Sequence, residues 1–283
     1  MYKVYIQLII AFFVKNCNNQ FCCVIIINMR SIFVTILTFF ILLTTSSAYA
    51  AQNMLSRDVK AVATDGFNIN ATLKYPKVKG CRAYSTVILL HSLGYNSQWW
   101  ETLPNELLNK GYAVLTIDLR GHGESVYNSK LIKNSWKSMK NSAYAKYPQD
   151  IIAVINKVKE ENTKIKFFDN YAIVGADIGA SAGVLAVDEL GVYPKTFVMI
   201  SPVVKAKGLY IPVSMAHLEG VDFLSISGTD DIMSKDAEAY LSKFAQDEFV
   251  TFTSESKSTG MLMLKNDPDL AKMISEWIFE YLN

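Results

Sequence analysis

A run of small residues around Asp177 constrains the fold of this chain more than any other sequence feature. The run follows an apolar segment at residues 171–174 and reads Gly175-Ala176-Asp177-Ile178-Gly179-Ala180-Ser181. Small residues let a strand turn sharply into a helix, because they leave room where the two backbones approach each other. We therefore predict a strand-to-helix turn that carries the Asp177 side chain at its tip.

Strand-like and helix-like segments alternate from residue 59 onward, which is typical of an α/β domain with a mainly parallel sheet. The predicted strands span residues 59–64, 67–75, 86–90, 112–117, 171–174, 196–200, 221–227 and 248–253. The first two form a hairpin with Asp65-Gly66 as its turn. The predicted helices span 98–110, 148–160, 236–244 and 268–282, besides the helix that follows the turn. The stretch at 201–220 is too short for a separate cap domain, whereas the polar stretch at 125–147 is long enough for a small lid.

The first fifty residues predict an upstream segment followed by an export signal. An apolar run at residues 32–43 follows Arg30, is too short to span a bilayer comfortably, and precedes the small-residue site Ala48-Tyr49-Ala50. We expect a start at Met29, cleavage after Ala50, and export to the periplasm or the extracellular space. The mature domain, residues 51–283, is then expected to have no stable membrane span.

Charge and cysteine content exclude several classes of partner. The net charge of the whole chain is +2, and residues 1–50 hold three basic and no acidic residues, so the mature domain is nearly neutral. A neutral domain gives no indication of nucleic acid as a partner. Three of the four cysteines precede residue 51, so only Cys81 is left and no disulfide framework is possible. Nothing in the sequence implies a cofactor or a metal.

Two polar motifs follow predicted buried strands. Leu90-His91-Ser92-Leu93-Gly94 ends the strand at 86–90, and Asp118-Leu119-Arg120-Gly121-His122-Gly123-Glu124-Ser125 follows the strand at 112–117. Arg120 lies next to a glycine and can pair with acidic neighbours, which favours an architectural role. We interpret His91 and His122 as hydrogen-bonded scaffold residues rather than as a catalytic base.

Together, five segments resemble the secreted bacterial α/β-hydrolases related to dienelactone hydrolases and serine aminopeptidases; they read LLHSLGYNSQWW, GYAVLTIDLRGHGES, YAIVGADIGAS, SISGTDD and GMLMLKNDPDL. The resemblance covers essentially the whole mature chain. It implies the α/β-hydrolase fold, an eight-stranded, mostly parallel sheet with helices on both faces and no large cap domain.

The resemblance also implies the positions of a catalytic triad. Members of the family have serine where Asp177 stands and histidine where Thr259 stands, so only the acid of the triad matches. That acid is Asp231, with its neighbour Asp230 as the alternative. The resemblance further assigns the oxyanion hole to backbone N–H groups of Ser92 or Leu93 and of Ile178, and such donors survive side-chain substitution.

These substitutions predict an exported hydrolase-fold protein that is catalytically impaired and keeps a pocket for a small-molecule or ester-like ligand. One alternative is an active ester or peptide hydrolase that uses Ser181, because residues 179–183 match G-x-S-x-G literally. A second is a carboxylate nucleophile at Asp177, as in haloalkane dehalogenases and epoxide hydrolases, with His217 as the base. A structural or partner-binding protein is the third, if the pocket is collapsed.

Overall fold

Eight strands form one sheet in the order β1-β2-β4-β3-β5-β6-β9-β10 in the computed structural model, which describes residues 54–162 and 165–283. Only β2 runs antiparallel to its neighbours in this sheet. The strands are β1 Met54–Val62, β2 Asn68–Pro76, β3 Thr86–Leu90, β4 Ala113–Ile117, β5 Tyr171–Ala176, β6 Thr196–Ile200, β9 Asp222–Gly228 and β10 Phe249–Ser254. The structure thus confirms the predicted eight-stranded, mostly parallel sheet.

Eight α-helices within the described residues connect or follow these strands. They are α1 Leu103–Asn109, α2 Asn141–Tyr144, α3 Tyr147–Glu161, α4 Ile178–Leu190, α5 Pro212–Met215, α6 Ile232–Leu241, α7 Met261–Asn266 and α8 Leu270–Leu282. A two-stranded hairpin of β7 Lys205–Ala206 and β8 Leu209–Tyr210 lies outside the main sheet. Two short 3-10 helices span Ser97–Trp100 and Trp136–Ser138.

Each face of the sheet packs against helices and has its own hydrophobic core. The central strands β3, β5 and β6 are buried along their whole length, as expected of parallel strands covered on both sides. One core includes apolar side chains of α3, α4 and α6, and the other includes those of α1, α7 and α8. Helices on both faces follow from the parallel strand direction, because each crossover must return over the sheet.

Several predicted boundaries differ from the structure. β5 extends two residues beyond the predicted end at 174, because Gly175 still pairs with β3 and β6 and Ala176 still pairs with β6. The predicted helix at 98–110 is divided into a 3-10 turn and α1, with Glu101 between them at φ 50°. The short helix α7 was not predicted, since its residues form a nearly continuous apolar run without helical periodicity.

The two loop regions singled out in the sequence are both ordered and short. Residues 201–220 form the β7–β8 hairpin and α5, and no separate cap domain is present in this stretch. Residues 125–147 form a 3-10 turn, α2 and isolated bridges such as Tyr127 with Lys133. No described helix is both long and apolar enough to cross a membrane. The predicted start at Met29 and cleavage after Ala50 lie outside the described residues.

Candidate active site around Asp177

Asp177 lies alone between the end of β5 at Ala176 and the start of α4 at Ile178. Its backbone has φ 51° and ψ −120°, a strained combination for a residue other than glycine. Strain of this kind raises one side chain above the end of the strand, as in the sharp turn that carries the nucleophile in α/β-hydrolases. The structure therefore places Asp177 at the tip of the elbow.

The glycines on either side of Asp177 are required by close backbone contacts. A Cβ atom at Gly175 would overlap Ala180, and one at Gly179 would overlap the backbone of Leu90 and His91. These contacts hold the first turn of α4 against the ends of β3 and β5. The packing thus depends on the two glycines and leaves the residue at the tip free to vary.

The Asp177 carboxylate lies beside the backbone groups that the resemblance predicts as oxyanion donors. The backbone N–H of Leu93 donates to Oδ2 at 3.4 Å, and the nearby N–H of Ile178 favours the ionised carboxylate by lowering its pKa. Of the two predicted donors on the loop after β3, Leu93 is the one that contacts the Asp177 carboxylate. The hydroxyl of the other residue, Ser92, accepts the N–H of Met261 at 3.3 Å. A negative charge of the protein itself therefore engages the predicted oxyanion donors.

Opposing effects act on the pKa of Asp177. Burial raises the pKa, and the nearby charge of Asp231 raises it further. The N–H groups of Ile178 and Leu93 lower it, as does the charge of Lys207. The net pKa lies above the usual range, so the hydrogen bonds do not fully replace the hydration that the carboxylate has lost.

Ser181, the alternative nucleophile, lies inside α4 and is fully buried. Its hydroxyl has no hydrogen-bond partner among the described residues. It is one helical turn from Asp177 and not on the strand-to-helix turn. A substrate carbonyl cannot reach a fully buried hydroxyl without local unfolding, so the literal G-x-S-x-G match does not mark an accessible nucleophile.

Asp231 is buried at the N-terminus of α6, and both of its carboxylate oxygens accept hydrogen bonds. Oδ1 accepts the N–H of Ser234 at 3.1 Å, and Oδ2 accepts the hydroxyl of Ser201 at 2.9 Å. The Ser201 hydroxyl in turn accepts the N–H of Gly260 at 2.8 Å. This chain of hydrogen bonds joins the acid to the turn where the family has its histidine, and Thr259 in that turn is exposed.

The neighbouring Asp230 has a different environment. Its side chain is 60% exposed and approaches only Lys257, with an Oδ2 to Nζ distance of 3.9 Å. Because Asp231 is the buried residue and acts electrostatically on Asp177, the geometry favours Asp231 over Asp230 as the triad-equivalent acid.

Two of the three histidines are buried scaffold residues. Nδ1 of His91 faces the carbonyl oxygen of Ser92 at 2.8 Å, and Nε2 accepts the N–H of Leu119 at 2.9 Å. Nε2 of His122 accepts the N–H of Gly94 at 2.9 Å, while Nδ1 faces a carbonyl oxygen. Each ring is therefore a neutral imidazole that carries its hydrogen on Nδ1.

Burial keeps both rings neutral. Burial and the neighbouring His122 lower the pKa of His91 to about 4, and burial also lowers the pKa of His122. All of these ring nitrogens bind the protein's own backbone. The two histidines hold the β3 and β4 loops, which include the predicted oxyanion donor Leu93, and they have no nitrogen left for a proton transfer.

His217, the histidine considered as a remote base, lies away from the elbow. Its Nδ1 atom is 3.0 Å from a carboxylate oxygen of Asp188, and the side chain is 57% exposed. Asp188 is eleven residues after Asp177 in α4, which corresponds to about 16 Å along a helix at 1.5 Å per residue. The structure therefore does not bring His217 to the site.

Arg120 is an architectural residue, as its sequence context predicts. Its guanidinium donates to both oxygens of the buried Asp150, at 2.6 and 2.8 Å, and to both oxygens of Asp65. The group also lies 4.4 Å from the centre of the Phe67 ring. Hydrogen bonds from Arg120 hold the pKa of Asp65 below its usual range. These hydrogen bonds and ion pairs link the loop after β4 to α3 and to the β1–β2 turn.

The stretch at 125–147 covers the loop that holds the oxyanion donor. The Trp136 ring stacks on His122 with a centroid distance of 5.6 Å, and it also lies against Gly94. The hydroxyl of Tyr144 donates to the Trp136 carbonyl at 2.7 Å. The predicted small lid therefore packs directly on this loop.

Two surface grooves of about 500 Å³ each lie away from the elbow. One runs between β1 and α3, beside Val62 and Ile152. The other follows the polar faces of β1, β2 and β4, beside Thr72 and Thr116. Neither groove is lined by Asp177. Among the described residues, no group of three or more His, Cys, Asp or Glu side chains is arranged to hold a metal ion.

Comparison with protein families gives a match to the family described as serine aminopeptidase, S33, over residues 82–263. The matched segment is more than half of the chain and contains Asp177, Asp231 and Thr259. The chain belongs to this family. A comparison with curated proteins found no match.

Solved structures of hydrolases share the fold. An esterase from Pyrococcus furiosus is 14% identical, with a TM-score of 0.60 and coverage of 81% of this chain and 92% of that chain. A dienelactone hydrolase from Anabaena variabilis is 14% identical, with a TM-score of 0.58 and coverage of 82% and 100%. A carboxyl esterase from Bacillus coagulans is 10% identical, with a TM-score of 0.59 and coverage of 81% and 99%. These likenesses confirm the α/β-hydrolase fold.

Sequence reasoning missed Ser201 and Lys207. Ser201 follows β6 and has φ 49°, and its hydroxyl bridges Asp231 and Gly260. A polar residue at the carboxyl end of a parallel strand is a signal that could have identified it. Lys207 is at the tip of the β7–β8 hairpin, 5.7 Å from the Tyr144 ring, and only its position in the fold connects it with Asp177.

Proposed function

We propose that this protein is an exported member of the family that no longer hydrolyses esters or peptide bonds by the serine route. The proposal rests on one observation, the contact between the Asp177 carboxylate and the N–H group of Leu93 at the elbow. A carboxylate has no hydroxyl to form an acyl-enzyme by the usual route. It also engages the donors that would otherwise stabilise the oxyanion of the reaction.

The lack of a base near the elbow supports the same proposal. Thr259 stands where the resemblance places a histidine, and a threonine hydroxyl cannot act as a general base near neutral pH. His91 and His122 bind backbone groups through their ring nitrogens, and His217 contacts Asp188. Loss of one triad member lowers turnover by about 10⁴ to 10⁶, and the members act as a unit, so little activity is expected after loss of two.

The alternative with Asp177 as a covalent nucleophile is less well supported. Hydrolysis of the resulting ester would require a histidine to activate water. The same histidine contacts argue against such a base at the elbow. In addition, Asp231, the one matching triad acid, has both carboxylate oxygens engaged by Ser201 and Ser234.

Ligand binding at the elbow is a secondary part of the proposal. The relatives of known structure are named as esterases and a dienelactone hydrolase, so a retained site would take a small molecule. Such a ligand would meet the Asp177 carboxylate where the relatives stabilise a negative charge. We therefore expect neutral or positively charged groups to be tolerated next to Asp177 and anionic groups to be excluded.

The proposal is tested by fluorophosphonate labelling and by turnover of an activated ester. We expect no labelling of the wild type, and restored labelling in the double variant Asp177→Ser with Thr259→His. Either single change should restore far less, because nucleophile and base act together.

The matched control for this experiment is Ser181→Ala. If the wild type is labelled strongly and Ser181→Ala is not, then the buried serine is the working nucleophile and the proposal is wrong. Ester turnover by the wild type that disappears in Asp177→Asn would instead establish the carboxylate as a nucleophile.

A further inference from the structure

Two segments at the carboxyl edge of the sheet contain lysines and no acidic residue. Residues 125–147 include five lysines and residues 201–217 include two, and neither segment has an aspartate or a glutamate. The segments follow β4 and β6, which run parallel and therefore end at the same edge of the sheet. We call these two segments the lysine-rich edge. Because the mature domain as a whole is nearly neutral, its positive charge is concentrated at this edge.

The lysines of this edge have no counter-charge within the described protein. The two segments contact each other, since Nζ of Lys207 lies 5.7 Å from the centre of the Tyr144 ring. All seven lysines are exposed. None of them forms an ion pair within residues 54–162 and 165–283. A cluster of unpaired, exposed ammonium groups attracts a surface or a molecule with many negative charges.

A turn in the lysine-rich edge presents two aliphatic side chains to solvent. Leu131 is 78% exposed and Ile132 is 56% exposed. Lysines precede and follow the pair, in the order Lys130-Leu131-Ile132-Lys133. Apolar side chains beside lysines bind well to the interface of an anionic bilayer, because the former enter the acyl boundary while the ammonium groups contact the headgroups.

Hydrogen bonds hold this turn in place. The side-chain oxygen of Asn128 accepts the N–H of Lys130 at 3.0 Å and the N–H of Ile132 at 2.9 Å. The N–H of Ser129 donates to the carbonyl oxygen of Gly66 at 2.7 Å, which joins the turn to the turn between β1 and β2. The exposure of the aliphatic pair is therefore a property of an ordered turn.

Leu131 has a backbone conformation that is unfavourable for leucine. Its φ is 58°, in the left-handed region that glycine and asparagine adopt more readily. Neither the backbone nor burial in the core accounts for a leucine at this position. An aliphatic side chain that is both exposed and strained is accounted for by a partner that covers it.

We propose that the lysine-rich edge binds the surface of an anionic phospholipid bilayer, with Leu131 and Ile132 inserted between the headgroups. Each lysine near such a surface increases the affinity by about fivefold. A soluble polyanion would pair with the lysines but leave the aliphatic side chains in water, so the pair favours the bilayer. Binding of this kind stays at the surface and needs no membrane-spanning helix. The proposal does not depend on the proposed loss of hydrolysis.

The first test measures insertion at the turn itself. In the full chain, with its four native cysteines replaced by serine, Ile132→Cys carries an environment-sensitive fluorophore. Vesicles of phosphatidylcholine and phosphatidylglycerol at about 2:1 should shift its emission to shorter wavelength and protect it from an aqueous quencher, and pure phosphatidylcholine should not. The matched control is Val78→Cys, which should not insert. Val78 is also 56% exposed and also lies between two lysines, but it follows β2 at the opposite edge of the sheet.

The second test removes the aliphatic contribution. Leu131→Asn, combined with the fluorophore at residue 132, should raise the half-saturating lipid concentration by roughly tenfold or more, because a buried leucine side chain is lost. Asparagine tolerates the left-handed conformation, so the variant is expected to fold as the wild type does. Residues 1–50 are the same in every variant, so the differences between variants report on the turn.

The third test removes the charge. Lys130→Glu with Lys133→Glu, read through the same fluorophore, should raise the half-saturating lipid concentration by more than about twentyfold. The matched control, Lys77→Glu with Lys79→Glu, changes the charge equally beside Val78 and should have an effect of less than about twofold, since salt screens charges at that distance.

Three results would overturn the proposal. The first is no insertion at residue 132, or equal insertion at residues 78 and 132. The second is a titration that the Lys130 and Lys133 changes do not alter. The third is loss of binding in the lysine variant with no effect of Leu131→Asn, which would show that the edge binds a soluble polyanion instead of a bilayer.

Discussion

Replacement of Asp177 by asparagine is expected to stabilise the protein at neutral pH. The amide has the same shape as the carboxylate and still offers one oxygen to the N–H groups of Leu93 and Ile178. It removes a negative charge that is partly buried and that lies near the charge of Asp231. A buried charged group whose hydrogen bonds do not offset its lost hydration costs about 1 to 2 kcal/mol, and this is the expected gain in the free energy of unfolding.

The gain in stability from Asp177→Asn is expected to increase with pH. The pKa of Asp177 is raised in the folded protein, so the wild type loses stability as the pH rises from the unfolded pKa to the folded pKa, and it keeps that loss at higher pH. Below the ordinary aspartate pKa of 3.8 both states are protonated, and the difference between variant and wild type should vanish. The difference should grow as the pH rises through the folded pKa and then become constant.

Urea and thermal unfolding of wild type and Asp177→Asn at pH 7.5 and at a pH below 3.8 measure both effects, with an expected increase in Tm of about 3 to 6 °C at the higher pH. The matched control is Asp230→Asn, whose exposed carboxylate should contribute nearly nothing. If Asp177→Asn is less stable than the wild type at pH 7.5, the carboxylate is stabilised by the elbow, and our account of its electrostatics is wrong.

Three further outcomes follow from the same structure. Arg120→Met should destabilise the fold by about 3 to 5 kcal/mol in urea unfolding, because it leaves a buried carboxylate without its cation. Gly179→Ala should lower stability by about 1 to 3 kcal/mol or prevent folding, since its Cβ overlaps the Leu90 carbonyl, whereas Gly191→Ala, which meets no atom, should cost about 1 kcal/mol. N-terminal sequencing of exported protein should begin at Ala51, and retention of earlier residues would favour a membrane anchor.

The sequence was sufficient for the fold and for the elbow because both depend on local patterns. The alternation of apolar strands with amphipathic helices predicts the sheet, and all eight predicted strands overlap observed ones, although β1 begins at Met54, five residues before its predicted start. The small residues around Asp177 predict the sharp turn. The end of β5 was placed two residues early, because Gly175 and Ala176 resemble turn residues while their backbones continue the ladder.

The hydrogen bonds of the site could not be predicted from the sequence because they join distant residues. Ser201 is 30 residues from Asp231 and 59 residues from Gly260, and its place at the carboxyl end of a strand does not show which groups its hydroxyl contacts. The contact between Asp177 and Leu93 spans 84 residues. Such contacts depend on which strands are neighbours in the sheet and on how their loops meet.

The hydrogen bonds of Asp231 give the fold a structural reason to keep an acid at this position, independent of catalysis. The carboxylate caps α6 through Ser234 and, through Ser201, connects the ends of β6 and β9 with the turn at Gly260. Loss of such a cap and its buried bonds costs stability whether or not the protein catalyses a reaction. Natural selection for folding alone would therefore keep an acid at this position.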